Sequence, residues 1–225
     1  MRMVAGLTLL CLALVGIGWA DEVATMPLPD LRAENEIWGR YYHIWLKGPG
    51  ALEDEMGMVH VGVGLTDYLE AGLVWGSDGG FSFTTLNLTA RVASRDEWEG
   101  YLGAVNLFSD DYFRSEEASP YLMAARRLNW RAKKEGQTPP QAKAFLGWGA
   151  KSHGGWFGGV LADLTPQTRV TVGSYPAPYG GHKAVLALSH SLPADSPRWA
   201  LGVGVWGGSP WLSVGTPGGW IPWPR

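Results

Sequence analysis

Residues 59–76 read VHVGVGLTDYLEAGLVWG, and this stretch decides the fold. Apolar residues alternate with small or polar ones from Val59 to Leu65, the chain turns at Thr66 and Asp67, and the alternation resumes from Leu69 to Trp75. A period of two marks a β-strand with unlike faces, and two such runs joined by a turn make a hairpin. With Leu65 opposite Leu69 across a three-residue turn, Val63 faces Ala71, Val61 faces Leu73 and Val59 faces Trp75 on one side. Gly64 with Glu70, Gly62 with Gly72 and His60 with Val74 share the other. A two-residue turn would mix the faces and is set aside.

An apolar strand face needs either a second sheet or lipid against it. The same split recurs where Leu86, Leu88, Ala90 and Val92 alternate with Thr85, Asn87, Thr89 and Arg91, and where Ala184, Leu186 and Leu188 alternate with Lys183, Ala187 and Ser189. In a sandwich the outward faces carry charge for water. Here the less apolar faces are Gly, Ser, Thr and Asn with an occasional ionic residue, which suits the narrow inside of a small barrel.

Composition agrees. Thirty-two glycines, thirteen tryptophans and eight tyrosines in 225 residues favour close-packed β-structure with aromatic anchors. The first twenty residues, MRMVAGLTLLCLALVGIGWA, have an early positive charge, an apolar stretch and small residues before Asp21, as in a secretory signal cut after Ala20. Cys11, the chain's one cysteine, falls inside that segment, so the exported part has none to form disulfides. Without Arg2 the balance is 17 basic against 21 acidic residues, which argues against a nucleic-acid partner. No later apolar run approaches the roughly 18 residues of a spanning helix.

Residues 21–33, with two prolines and no period, read as a periplasmic leader outside the main fold, and residues 34–225 as the barrel domain. About twelve strands follow, near 34–46, 56–65, 69–76, 81–93, 98–108, 121–131, 142–151, 155–163, 168–175, 182–192, 198–206 and 210–215. Short turns (TDY, SRDE, TPQT, LPADSP) alternate with mostly longer loops (KGPGALEDEMG, FSDDYFRSEEASP, KSHGG, YPAPYGGH), the asymmetry of an outer-membrane barrel. The long basic connection RAKKEGQTPPQ is the exception. Aromatic residues gather toward strand ends: Trp38, Tyr41, Tyr42, Trp45, Tyr68, Trp75, Trp98, Tyr101, Trp130, Trp148, Trp156, Trp199, Trp206 and Trp211. Among them Trp75, Trp148, Trp156 and Trp199 are the chosen membrane-interface candidates, because indole rings favour the headgroup level.

VGVGLTDYLEAGLVWG resembles the hairpin with a Gly, Leu, Thr, Asp, x, Leu, Glu, x, Gly pattern found in bacterial outer-membrane barrels of the porin-like and exopolysaccharide-associated (YjbH-type) families. TLNLTARV, YLGAVNLFSDD, YLMAARRL, AFLGWGAKSHGGWFGGVLADL and AVLALSHSL follow in an order similar to the strands of the shorter YjbH-type members. The resemblance implies an outer-membrane barrel linked to surface polysaccharide, and carries over no catalytic residue. One departure is the end of the chain, GGWIPWPR, which lacks the terminal aromatic that the barrel-assembly machinery reads.

No chemistry-bearing constellation emerges. Ser189, His190 and Ser191 contain a hydrolase's residue types, but neighbouring strand residues point to opposite faces and no carboxylate is placed to orient the histidine. The five histidines lack metal-ligand spacing. His60, Glu70, Asn87 and Arg91 are the candidate lumen residues, with Glu70 and Arg91 expected to pair and plug the barrel, since an unpaired interior charge is costly.

The expectation is therefore an all-β, single antiparallel up-and-down transmembrane barrel of 10–12 strands in the outer membrane of a didermic bacterium. It has no catalytic residue, cofactor or metal. It would act as a porin-like channel or an envelope or exopolysaccharide-associated assembly component, with membrane lipid, the assembly machinery and a polysaccharide or small solute as partners. The alternative is a secreted, tryptophan-rich β-sandwich that binds carbohydrate. On the barrel reading, Val61→Arg or Leu73→Arg should hinder assembly and Gly62→Ser should be mild.

Overall fold

The computed structural model describes residues 28–45, 55–77, 82–105, 107, 118–128, 141–150, 154–165, 167–176, 182–192 and 199–215. The signal segment, all of the basic 131–141 connection but Gln141, Trp130, and the C-terminal GGWIPWPR lie outside the described residues, as does the side chain of Trp206.

Twelve strands form: β1 (Ile37–Trp45), β2 (Glu55–Thr66), β3 (Leu69–Ser77), β4 (Ser82–Arg95), β5 (Trp98–Val105), β6 (Ser119–Leu128), β7 (Ala142–Gly149), β8 (Gly155–Thr165), β9 (Thr168–Pro176), β10 (His182–Ser191), β11 (Ala200–Trp206) and β12 (Ser209–Gly215). Each pairs antiparallel with its sequence neighbours, and β1 pairs β12, so the sheet closes into an up-and-down barrel. Closure removes both sheet edges, leaving no second sheet for a sandwich. No helix is present among the described residues.

The opening hairpin keeps the expected register from Val59↔Trp75 to Gly64↔Glu70 and departs at the turn. Thr66, not Leu65, pairs with Leu69 across the two residues Asp67 and Tyr68, and a bulge between Gly64 and Thr66 absorbs the extra residue. A two-residue turn does occur, therefore; the bulge restores the parity that such a turn would otherwise break. Register shifts at Arg91/Ala93 and Asp163/Thr165 sit beside the β4–β5 and β8–β9 turns, at the same end of the barrel. That end, called here the turn end, also receives the start of β1 and the finish of β12.

The outward face is apolar: Val61, Leu73, Leu102, Leu122, Leu146, Val160, Leu188, Leu201, Val203 and Leu212 are all exposed. The inward face is less sparse than its glycines suggest. Five inward glycines stand directly opposite a large aromatic residue on the next strand: Gly62 with Trp38, Gly103 with Tyr121, Gly147 with Phe157, Gly159 with Phe145, and Gly204 with Trp211. Each ring lies across its glycine, so that a Cβ at any of the five would collide with neighbouring atoms. Removing one side chain makes room for the other within a closed wall. Gly62→Ser, expected to be mild, would drive a side chain into the Trp38 indole.

Two buried apolar clusters result. Tyr42, Ile44, Met56, Met58, Val74, Ala187 and Trp211 fill the loop end. Tyr101, Tyr121, Met123, Phe145, Phe157, Leu161, Tyr175 and Val185 are among those filling the middle, joined by Leu28 and Leu31. The central cluster runs along the consecutive strands β5–β10, while the loop-end cluster joins β1–β3 and β12 with Ala187 of β10, and Arg40 of β1 reaches past β12 and β11 to donate to Ser189 Oγ of β10 at 3.1 Å.

Candidate functional site at the turn end of the lumen

The inward charges concentrate at the turn end, where strands begin or finish. Glu99, near the start of β5 and 3 % exposed, accepts a hydrogen bond from Tyr101 Oη at 2.6 Å and another from Lys143 Nζ at 2.9 Å. Arg127 stands 3.2 Å away and Arg91 3.9 Å away. One carboxylate thus faces three cations from β4, β6 and β7. Across the lumen Arg169 of β9 donates from Nε to Asp163 Oδ1 at 2.7 Å and from Nη1 to Asp30 Oδ2 at 2.6 Å. Desolvating such charges is expensive, and pairing offsets it only when the remaining donors and acceptors are also met.

Asp30 belongs to the segment before β1. Residues 21–33 are expected outside the main fold; their described part, 28–33, lies inside the barrel mouth instead. The chain doubles back through a turn at 33–36, where Glu36 N donates to Ala33 O and Asn35 takes a left-handed φ of 64°. Asparagine tolerates that conformation better than most residues. From there the segment crosses the lumen. Arg32 N donates to Glu70 Oε2 at 2.8 Å, and the Pro29 carbonyl accepts from Lys143 Nζ at 2.9 Å and lies 3.2 Å from Tyr101 Oη, whose one proton is shared with the nearer Glu99.

The four candidate lumen residues all occupy inward registers, but they do not act as one group. His60 meets the Trp38 ring edge-on at 4.5 Å and covers Gly72. Asn87 pairs in register with Gly72. Glu70 holds the backbone of Arg32, whereas Arg91 donates to the Asp67 carbonyl, lies over the Tyr68 ring and faces Glu99. The expected Glu70–Arg91 pair is replaced by two separate sets of partners. Its carboxylate is Glu99, which shares a face with Tyr101 while Trp98 and Leu102 point outward. The same parity would have placed Arg127, Lys143, Asp163 and Arg169 inside.

The interface aromatics divide by face. Trp75, Trp148 and Trp156 are exposed near the loop end, Trp148 paired with Trp156, while Trp98, Tyr68 and Trp199 are exposed at the turn end. Trp38, Tyr42, Tyr101 and Trp211, also expected at an interface, are 2–8 % exposed and belong to the lumen. Ser189 accepts from buried Arg40, whereas His190 turns outward to Thr168 Oγ1, so the two do not form a nucleophile and base. No group of three or more side chains suited to a metal is present among the described residues.

Neither a family model nor a curated protein sequence matches this chain. Among solved structures, an outer membrane channel from Pseudomonas putida F1 aligns with 86 % of this chain and 98 % of its own length, at 11 % identity and a TM-score of 0.39. A likeness of that size carries no argument about this chain, so its reading stands on the twelve strands, their two faces and the filling of the lumen.

Proposed function

We propose that this chain is an outer-membrane β-barrel of a didermic bacterium, porin-like in role, closed in the described conformation and non-enzymatic. The apolar exterior carries the reading. Valine and leucine from successive strands form a continuous outer face, with exposed tryptophan or tyrosine toward both ends. An apolar surface of this extent is unstable in water, and a bilayer supplies its complement. Strands of 7–14 residues bracket the roughly 9–11 that cross a bilayer obliquely.

A second reading, a closed envelope-assembly component, is favoured by the two buried clusters on the inward face and by Arg40, which reaches from β1 to Ser189 of β10. A polysaccharide link remains part of that proposal. Fractionation separates the membrane barrel from a secreted protein: the chain should pellet with outer membranes and resist carbonate washing, and Leu73→Arg should reduce assembly, because arginine near the midplane costs a barrel about 2–4 kcal/mol. A wild-type protein found in the soluble periplasm would remove both readings. Discrete conductance in planar bilayers would favour the channel over the assembly component.

A further inference from the structure

We infer that residues 28–33 are a displaceable plug, seated in the turn-end mouth of a barrel wall that is complete without it. This goes beyond the porin-like reading, which supplies only what the plug would gate.

The first observation is where each plug contact lands. Wall groups on β3, β5, β7 and β9 hold the segment through Glu70, Tyr101, Lys143 and Arg169. Three of those four have a second partner on the wall itself: Tyr101 and Lys143 have Glu99, and Arg169 has Asp163. If the segment leaves, Lys143 and Arg169 keep a wall carboxylate, and the Tyr101 hydroxyl keeps Glu99 as its acceptor. A seat whose own charges are already paired does not collapse when its occupant goes.

The second observation is that the plug is incompletely satisfied where it sits. Arg32 is 8 % exposed, yet its Nε and Nη2 have no hydrogen-bond partner among the described residues, and its ion pair with Glu36 spans 3.8 Å. A buried guanidinium in that state favours release into water. Leu28 and Leu31, partly buried against the central cluster, and Pro29, fully buried, oppose release.

The third is a site on the wall shaped to the segment. Gly64 lies against the Ala33 and Arg32 carbonyls, so that a Cβ there would collide with the plug's backbone. Gly64 also exchanges backbone hydrogen bonds with Asn35 and Glu36. The turn at 33–36 therefore fastens to the rim while residues 28–32 rest inside, an arrangement that places the hinge at Asn35.

The test uses the full chain, folded in detergent micelles, with Leu31→Cys in a Cys11→Ser background and a membrane-impermeant maleimide as probe. Labelling of a closed site follows the population of its open form. Asp30→Asn weakens the Arg169 contact and should speed labelling about tenfold or more, while Arg32→Met, which removes the unsatisfied guanidinium, should slow it. The thermal unfolding midpoint should stay near the parent's in both. Equal labelling rates in the three proteins would overturn the inference, as would loss of folding in Asp30→Asn, since the wall is held to be self-sufficient. Planar-bilayer recordings of the same variants judge the porin-like reading separately: faster labelling without conductance would leave the plug standing and remove the channel.

Discussion

The two ends of the lumen are filled by different means. At the loop end and in the middle, aromatic rings and methionines pack over inward glycines, with Tyr42, Met56, Met58 and Trp211 in one cluster and Tyr121, Phe145 and Phe157 in the other. At the turn end Glu99, Lys143, Arg127, Arg91, Asp163 and Arg169 form charge clusters that also grip a segment of the chain. The apolar layers gain from every ring removed from water, about 1.5–3 kcal/mol each. The ionic layer gains less in net terms, because desolvation offsets much of the attraction. What the charges add is directional pairing: Arg169 holds Asp163 of the wall and Asp30 of the returning segment at once.

If that division holds, the largest effect should come from the apolar part. Phe157→Ala removes a ring that covers Gly147 and meets Tyr121 edge-on at 5.9 Å. Glycine opposite offers nothing to fill the gap, so the loss should reach about 3–5 kcal/mol, read from guanidinium unfolding of the folded barrel. A loss below about 1 kcal/mol would mean that the ring faces water and that the lumen is wet at this level.

A smaller effect should follow from opening the ionic part. Glu99→Gln leaves Lys143, Arg91 and Arg127 facing no carboxylate. Breaking a fully buried pair costs about 3–5 kcal/mol, but Arg127 is half exposed and water screens it, so about 2–3 kcal/mol is expected. Glu97→Ala supplies the contrast on the outer face. Its 3.2 Å pair with Arg126 is exposed on both sides and should contribute no more than about 1 kcal/mol. Equal losses for Glu99 and Glu97 would erase the distinction between the interior cluster and a surface ion pair.

Much of this architecture is legible in the sequence. Strict alternation fixes which side of each strand faces out, and the hairpin register from Val59 to Gly64 follows from it. The strand count follows too, because turn signals punctuate the alternation at short intervals. What alternation does not reveal is what a glycine is opposite. Gly103 and Tyr121 are eighteen residues apart on different strands, and only their register shows that one makes room for the other. For that reason the aromatics read as a single interface population, when Trp38, Tyr42, Tyr101 and Trp211 are turned inward. The ionic site was half legible: parity puts Glu70 and Arg91 inside, but partner choice depends on strand stagger and on the returning segment. Residues 28–33 carry no period, and their place is set by the turn at Asn35 and by contacts distant in sequence.

Gly62 sharpens the comparison at the smallest scale, because it lies between the two parts. It pairs in register with Trp38, whose ring also meets His60. From strand polarity alone Gly62→Ser adds a small hydroxyl to a polar face and should be nearly silent. From packing, its Cβ collides with the indole, which must move toward the lumen or push β1 away from β2. Overpacking of this kind costs about 1–3 kcal/mol. A net loss near 1 kcal/mol, with altered tryptophan fluorescence, is the expected result. A silent substitution would show that Trp38 moves freely and that the interior is loosely filled here, undoing the pairing of glycine with aromatic at this position.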